Sequence, residues 1–361
     1  MGAWLSTMFS QSTGSPLKWV ELPANRLGGT FASLILQNIK GHDDWHTLKA
    51  PAFYGPENEW EAVSQESPQT SDELRIISIN SRNIESEVKD CSVLTEFGPG
   101  DGNKTMEMLK LAKKLNIYRM VDTDRDAIAK LGARITKLYP HLHIQCWRGS
   151  FESAPSYATE NHLHLGHVLS LGSTLFNNSP EVNNKILRDL AHITDKIIIG
   201  QDGNTDDSIR SSYTTPAFDK FINKGCGELD NMLNSIDHNT DRAILQNEGW
   251  QSEVCIVHGP ASHVALQLVA TKVMEFIFNE DTAEEEKVLI EKNTRFNIFK
   301  AYKYSQQSIE SMAAEASYVR SATYSAPNTE SHMMASLTIV EDLRKLDIEI
   351  VHMARNIVTV I

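Results

Sequence analysis

A group of closely spaced glycines gives the sequence its clearest chemical signal. Gly98, Gly100 and Gly102 follow an apolar run at residues 92–97, and a helical pattern begins directly after them. Glycine lets the backbone approach a ligand without a clash from Cβ, and the first turn of a helix offers N–H groups that have no partner within the helix. The pattern predicts a loop that holds a nucleotide, and a plain strand-to-helix turn is the alternative interpretation.

Three known nucleotide-binding loops are similar to this segment, and the spacing of their glycines distinguishes them. A P-loop and a dinucleotide-binding loop both require a glycine where this chain has Asn103. The pattern that is present, Glu-x-Gly-x-Gly-x-Gly from Glu96 to Gly102, resembles the first motif of class I methyltransferases, which implies S-adenosylmethionine (SAM) as the cofactor. Asp122 agrees with this, because it ends the next apolar run about 20 residues downstream, where the ribose hydroxyls need an acceptor.

A second motif narrows the resemblance to one family. The segment from Leu171 to Asn177, LGSTLFN, resembles the LGST-x-x-N motif of the histidine-specific, SAM-dependent methyltransferase family. Further segments resemble family motifs in the expected order: Tyr54 with Trp60-Glu61, Thr70 and Glu73 in the stretch YD…FE…YYxTxxE, Gly149-Ser-Phe151 at the G-D-F adenine motif, and residues 291–296 at the E-x-S-x-K-[FY] motif. The similarity extends over about residues 52–337.

The resemblance implies a role for each matching position. The residues expected at the cofactor are Gly98, Gly100, Lys104 and Gly172, with Asp122 at the ribose and Ser150 and Phe151 at the adenine. Those expected at the substrate are Asn177 and Tyr213 for its amino and carboxylate groups, and Tyr54, Leu266, Glu291 and Asn293 for its side chain. Asn177, Tyr54 and Tyr213 are also the candidate catalytic residues, because an amide can orient an amine and a tyrosine can pass its proton to solvent.

Three of these positions also have ordinary structural interpretations. Asn177 is close enough to a predicted helix at Pro180 to cap it. Tyr213 fits a half-buried helix aromatic, and Glu291 belongs to the charged run 284–291, which is typical of an exposed helix face. The sequence leaves these alternatives open.

The chain also departs from the family pattern. Ser67-Pro68-Gln69-Thr70 stands where the family has Tyr-Tyr-x-Thr, Ser150 replaces an Asp, Asn293 a Ser, and Leu266 a Met. These changes keep the groups that bind an amino acid but alter the pocket for its side chain. We therefore expect a SAM-dependent N-methyltransferase that acts on the amine of an amino acid or amino-acid-derived small molecule other than histidine, such as a tryptophan-like one. The alternative is a SAM-binding fold that has lost catalysis and serves as a partner subunit.

Alternating strand and helix patterns must position these loops. Between residues 92 and 202, strand-like runs at 118–122, 143–147, 165–171 and 196–201 alternate with helical patterns at 105–115 and 126–138. Such alternation is typical of a parallel sheet covered by helices. After residue 202 the pattern changes to a polar helical stretch at 208–236 and strand-like runs at 253–257 and 264–272.

The expected architecture is therefore α/β, a class I Rossmann-like methyltransferase domain with a second α+β substrate-binding domain formed by the N-terminus and an insertion. The predicted segments are 1–74 and 206–295 for the substrate domain, 75–205 for the SAM-binding core, and 296–361 for the return to the core. The last segment ends in an amphipathic helical pattern at 341–361, which either docks on its own domain or forms a homodimer contact.

Composition excludes several classes of function. The net charge is −13 and there is no basic run, which argues against a nucleic-acid partner. Cys91, Cys146, Cys226 and Cys255 are far apart, which argues against a zinc site or disulfides and favours a cytoplasmic protein. His162, His164 and His167 have no apparent carboxylate or cysteine partner, so we expect no metal site.

Membrane attachment is not expected either. No apolar run reaches the roughly 18 residues of a membrane span. Gly2 and Ser6 fit the myristoylation pattern, but a bulky Trp4 and the lack of a basic cluster argue against a stable lipid anchor.

Overall fold

The computed structural model describes residues 17–23, 59–202, 206–234, 249–259, 261–279, 285–327 and 332–339. Tyr54, Gly2 and the helical pattern at 341–361 lie outside these residues. The strands are β1 (Leu17–Glu21), β2 (Val93–Phe97), β3 (Ile117–Asp122), β4 (His143–Arg148), β5 (Gly166–Ser170), β6 (Thr194–Asp202), β7 (Trp250–Val257), β8 (His263–Ala270), β9 (Met274–Asn279), β10 (Glu285–Ile290), β11 (Arg295–Tyr302), β12 (Tyr318–Tyr324) and β13 (His332–Ile339).

Helices alternate with the strands. They are α1 (Trp60–Glu66), α2 (Pro68–Ile79), α3 (Ser81–Val88), α4 (Asn103–Leu111), α5 (Arg125–Leu138), α6 (Ala154–Glu160), α7 (Pro180–Ala191), α8 (Asp206–Ser212), α9 (Pro216–Asn234) and α10 (Gln306–Glu315). Helix α5 illustrates how the sequence sets them. The side chain of Asp124 caps its first turn by accepting from the N–H groups of Asp126 and Ala127, and Ile128, Leu131 and Ile135 bury one face at helical spacing.

The central sheet has the order β1-β4-β3-β2-β5-β6-β13-β12. Strands β1 to β6 run parallel to their neighbours, and β13 runs antiparallel to both β6 and β12. Strands that helices cover on both faces are buried without alternation, as in residues 118–121 of β3. The predicted α/β, Rossmann-like class is confirmed.

One hydrophobic cluster covers each face of this sheet. Met120, Leu169 and Ile198 face a cluster that includes α2, α3, α4 and α5. Their chain neighbours Val121 and Val168 face the opposite cluster, which includes α7 and α10. Because β1 to β6 run in one direction, their carboxyl ends lie at one edge of the sheet, where α/β proteins bind their ligands.

A second unit has its own core. Strands β11, β8 and β7 form an antiparallel sheet in that order, and its cluster includes residues of α8 and α9 together with Val63 of α1. Strands β9 and β10 pair as an antiparallel hairpin, so the charged run that suggested an exposed helix face is a strand at residues 285–290.

Three elements lie near the predicted segment limits. Helix α1 packs with the inserted residues. Helix α2 crosses the predicted limit at residue 74, and its Ile76 and Ile77 belong to a core cluster of the central sheet. Strand β11 begins at the predicted return to the core, but it pairs with β8 of the second unit as far as Tyr302. Among the described residues, no helix is long and apolar enough to cross a membrane.

Candidate functional site

A turn of three left-handed glycines connects β2 to α4. Gly98, Gly100 and Gly102 have φ values of +63°, +57° and +73°, a region that favours glycine. A Cβ on Gly98 would lie 2.8 Å from Cγ2 of Thr174, and one on Gly102 would lie 2.2 Å from Cδ1 of Leu131. A Cβ on Gly100 would meet no atom within 4 Å, so this glycine borders open space. The turn is a backbone cradle beside a helix N-terminus.

The buried carboxyl group of Glu96 holds the glycine turn in place. Glu96 accepts hydrogen bonds from the Thr105 hydroxyl at 3.0 and 2.9 Å and from the Tyr118 hydroxyl at 2.5 Å. Burial raises the pKa of Glu96 to about 7, although these two hydroxyls lower it in part. Because Glu96 lies in the last two residues of β2 and Thr105 in the first turn of α4, these contacts hold the two ends of the glycine turn together.

The neighbouring strand ends supply the residues predicted for the ribose and the adenine. Asp122 ends β3, and its Oδ1 accepts from the N–H of Asp124 at 3.0 Å. Burial raises the pKa of Asp122 to about 6. Ser150 and Phe151 follow β4, and the ring of Phe151 stacks on Phe97 with centroids 5.7 Å apart.

A cavity of about 560 Å³ opens at this edge of the sheet. Nine of the predicted site residues line it together: Gly98, Gly100, Lys104, Asp122, Ser150, Phe151, Gly172, Asn177 and Tyr213. The volume lies within the range of small-molecule sites. One cavity can therefore hold a nucleotide cofactor at the strand ends and a small substrate beside the second unit.

Asn177 has a fixed orientation at the substrate end. Its Oδ1 accepts a hydrogen bond from the backbone N–H of Tyr302 at 3.0 Å. This contact identifies the amide oxygen and leaves the NH₂ group as a donor for a ligand. The structure also rejects the alternative role of Asn177 as a helix cap, because α7 begins at Pro180 with Ser179 in the capping position.

Tyr213 is held by a buried ion pair that the sequence did not reveal. The ammonium of Lys303 lies 2.6 Å from Oδ2 of Asp202, and the two side chains are only 7% and 4% exposed. The ammonium of Lys303 also lies 5.3 Å from the centroid of the Tyr213 ring. Burial opposes the charge on Lys303, but Asp202 and Tyr213 outweigh it and raise the pKa of the lysine. Lys303 is therefore a permanent cation in the cavity wall.

Three predicted substrate residues do not line the cavity. Leu266 is buried in the core of the second unit. Glu291 and Asn293 lie on an exposed turn between β10 and β11, where Asn293 has a φ of +69° and the Thr294 N–H bonds to the Glu291 carbonyl. The geometry gives no support to a substrate contact at these positions. Tyr54 lies outside the described residues.

A segment other than residues 291–296 matches the end of this motif and lies at the cavity. The pattern E-x-S-x-K-[FY] also ends at Lys303-Tyr304, with Phe299 and Ala301 in the positions of Glu and Ser. Ala301, Tyr302 and Lys303 line the cavity, whereas residues 291–296 do not. The Lys-Tyr pair was the signal available in the sequence. Glu291 instead makes residues 291–296 the better match to the start of the motif.

The histidine group lies away from the cavity. His164 and His167 each approach the carboxylate of Asp195 at 3.8 Å, so they do have the carboxylate partner that the sequence did not reveal. The described residues nevertheless contain no group of three or more His, Cys, Asp or Glu side chains arranged to hold a metal ion.

Comparison with solved structures gives similarity at low sequence identity. Magnesium protoporphyrin IX methyltransferase (ChlM) from Synechocystis PCC 6803, solved with bound SAH, is 9% identical with a TM-score of 0.39, over 86% of this chain and 96% of that one. The glycopeptide N-methyltransferase MtfA, complexed with sinefungin, is 8% identical with a TM-score of 0.38, over 72% and 93% of the two chains. The sugar N-methyltransferase KedS8 from Streptoalloteichus sp ATCC 53650 is 8% identical with a TM-score of 0.35, over 73% and 87%.

The family assignment rests on the sequence match. No curated protein matches the chain. The family described as histidine-specific methyltransferase, SAM-dependent, matches residues 60–337, a range that contains the glycine turn, the Leu171–Asn177 segment and the second unit. The open glycine cradle and the carboxyl group at the end of β3 fit a nucleoside cofactor. The chain therefore belongs to the histidine-specific, SAM-dependent methyltransferase family, and its cofactor is SAM.

Proposed function

We propose that the protein transfers the methyl group of SAM to the amine of an amino acid or amino-acid-derived small molecule other than histidine. The observation that carries the proposal is the common cavity, which Gly100 and Asp122, the expected cofactor residues, line together with Asn177 and Tyr213. The cavity is sized for small molecules, and the chain is acidic overall, with a net charge of −13.

The hydrogen-bonding groups at the substrate end suit a carboxylate beside an amine. The Asn177 NH₂ group is a donor because its oxygen is engaged by Tyr302. Lys303 keeps a positive charge next to the Tyr213 hydroxyl. A carboxylate accepts hydrogen bonds from such groups, and charge-assisted bonds of this kind are the stronger ones. These contacts favour an amino acid over its decarboxylated amine.

The cavity wall argues against an imidazole side chain. Ala301 lines the cavity at the motif position of Ser, and Phe299, at the position of Glu, is buried in the core of the second unit. Neither side chain can hydrogen-bond to a ring nitrogen. Trp60, Val63 and Ala301 line the cavity on the side of the second unit. Apolar and aromatic walls gain most from burying an apolar side chain, so the substrate side chain is expected to be apolar.

The mechanism depends more on the position of the substrate amine than on reactive side chains. When bound, SAM supplies an electrophilic methyl group, and an in-line displacement needs a neutral amine behind it. Asn177 and Tyr213 hold the substrate in place, and Tyr213 can carry the amine proton toward solvent. In this relay the Tyr213 hydroxyl releases its own proton to solvent and then takes the amine proton, and the ammonium of Lys303 near its ring would stabilise the transient phenolate.

Mass spectrometry of the purified protein with SAM tests the proposal. The panel contains free amino acids with apolar, aromatic and imidazole side chains, each paired with its decarboxylated amine. We expect a product heavier by one or more methyl groups, with the methyl on nitrogen, for an amino acid with an apolar or aromatic side chain. A methyl group found only on oxygen, or a product from histidine alone, would contradict the proposal. SAM binding without any product would favour the alternative of a non-catalytic partner subunit.

A further inference from the structure

Glu73 of α2 is a buried carboxylate that joins two walls of the cofactor site. It is fully buried, and its two oxygens accept from the backbone N–H of Gly172 at 2.9 and 3.0 Å. Its Oε2 also lies 2.6 Å from the ammonium of Lys104 in α4. Both Gly172 and Lys104 line the cavity, whereas Glu73 lies behind them.

The surrounding backbone leaves room for this carboxylate. A Cβ on Gly200 of β6 would lie 2.0 Å from Oε1 of Glu73, so any other residue there would displace it. The ammonium of Lys104 lies close to Gly172, within 3.0 Å of where a Cβ of that glycine would be. Glu73 thus sits where the central sheet, the cofactor helix α4 and the turn after β5 converge.

Polar contacts continue from this carboxylate toward the substrate end. Gln69, one turn before Glu73 in α2, donates to the Ser173 hydroxyl at 2.8 Å. The same hydroxyl oxygen accepts from the N–H of Asp202 at 3.0 Å, and Asp202 pairs with Lys303 beside Tyr213. Helix α2 therefore contacts both halves of the cavity through side chains.

We propose that Glu73 is a positioning residue for the cofactor, acting through Lys104 and Gly172. Its charge holds the lysine ammonium at the cavity wall, and its paired oxygens hold the Gly172 turn against α4. Without the carboxylate, Lys104 would be an unpaired cation that is 13% exposed, and it would leave this position for solvent or for the cavity. The helix before the glycine turn, and not only the turn itself, then sets the shape of the cofactor site.

Calorimetric titration with S-adenosylhomocysteine (SAH) tests the proposal and requires no substrate, so its outcome does not depend on the proposed N-methylation. The variants are Glu73→Gln, Lys104→Met and the double variant. Glu107→Gln is the matched control, because Glu107 pairs with Lys110 on the exposed face of the same helix α4. Thermal unfolding identifies a temperature at which every variant is fully folded, and binding is measured there.

We expect Glu73→Gln to weaken SAH binding by about tenfold or more, which is about 1.4 kcal/mol, while Glu107→Gln binds as the wild type does. Because Glu73 acts through Lys104, the loss in the double variant should be smaller than the product of the two single losses. A folded Glu73→Gln variant that binds SAH with wild-type affinity would overturn the proposal, since a purely structural role lowers only the unfolding temperature. Losses that multiply fully in the double variant would overturn it as well.

Discussion

Burial raises the pKa values of two single carboxyl groups in this site, those of Asp122 and Glu96. Both lie at the ends of parallel strands, and burial raises their pKa values to about 6 and about 7. A carboxyl group with a raised pKa changes its charge near neutral pH, so its function and its cost to stability both depend on pH. The two groups differ in exposure to ligand, because Asp122 lines the cavity and Glu96 lies beneath the glycine turn.

At Asp122 the expected effect is on cofactor affinity. The charged carboxylate accepts ribose hydroxyls more strongly than the protonated carboxyl group does, so SAH affinity should fall as the pH drops through about 6. Asp122→Ala should weaken SAH binding by about tenfold or more at pH 8, and Asp122→Asn should bind weakly without this pH dependence. Titration calorimetry between pH 5 and 8 measures both effects. Unchanged affinity in Asp122→Ala would remove this residue from the ribose role.

At Glu96 the expected effect is on stability. The folded-state pKa of about 7 lies above the ordinary value of 4.5, so the folded protein holds the proton longer than the unfolded chain does. Stability from this group is therefore present below pH 4.5 and is lost as the pH rises through about 7, by on the order of 3 kcal/mol. Glu96→Gln should flatten that part of the pH profile in chemical denaturation, while the exposed Glu107→Gln should leave it unchanged. A Glu96→Gln profile identical to that of the wild type would contradict the raised pKa.

At the scale of elements, the connection from β2 to α4 was the most predictable part of the site. Its glycines, its strand and its helix follow one another in sequence, so local rules describe them well. The same reasoning found the strand that ends at Asp122, whereas Ser150 and Phe151 came from the family resemblance. It could not find the pairing of Asp202 with Lys303, because two charged residues about 100 positions apart carry no local signal of their contact. It also misread residues 285–290, where a charged hairpin strand has the composition of an exposed helix.

Two glycines of the turn can be compared by substitution, because Gly102 is closely packed and Gly100 borders open space. Gly102→Ala would place a Cβ 2.2 Å from Leu131 at a φ of +73°, so it should destabilise the protein by about 1–3 kcal/mol. Gly100→Ala meets no neighbouring atom and should cost less stability, but its methyl group borders the cavity and should weaken SAH binding. Thermal unfolding and calorimetry separate the two effects. A larger loss of stability for Gly100→Ala than for Gly102→Ala would contradict this assignment of the packed and open sides.

At the scale of the whole molecule, the second unit completes a cavity that the central sheet begins. Asp202 ends β6 of the central sheet, while Lys303 directly follows β11 of the second unit, and their ion pair joins the two across the cavity. Such a buried pair costs much when one partner is removed and less when both are replaced by apolar or neutral groups.

The ion pair of Asp202 with Lys303 predicts that the losses of stability from replacing each residue do not add. Lys303→Met and Asp202→Asn should each lower the free energy of unfolding by about 3 kcal/mol, and the double variant should lose clearly less than the sum. Chemical denaturation of the three variants and the wild type gives the coupling energy. Fully additive losses would mean that the two charges do not stabilise each other, and the ion pair would then not be what joins the two units.

The most direct test of the proposed substrate site compares turnover with cofactor binding in Asn177→Ala. Its control is Asn184→Ala in α7, an asparagine that bonds to Glu315 and does not line the cavity. With the amino acid that the wild type methylates, turnover in Asn177→Ala should fall by about 100-fold or more, while SAH affinity and the activity of Asn184→Ala stay unchanged. Full turnover in Asn177→Ala would show that the substrate amine is not held at this end of the cavity.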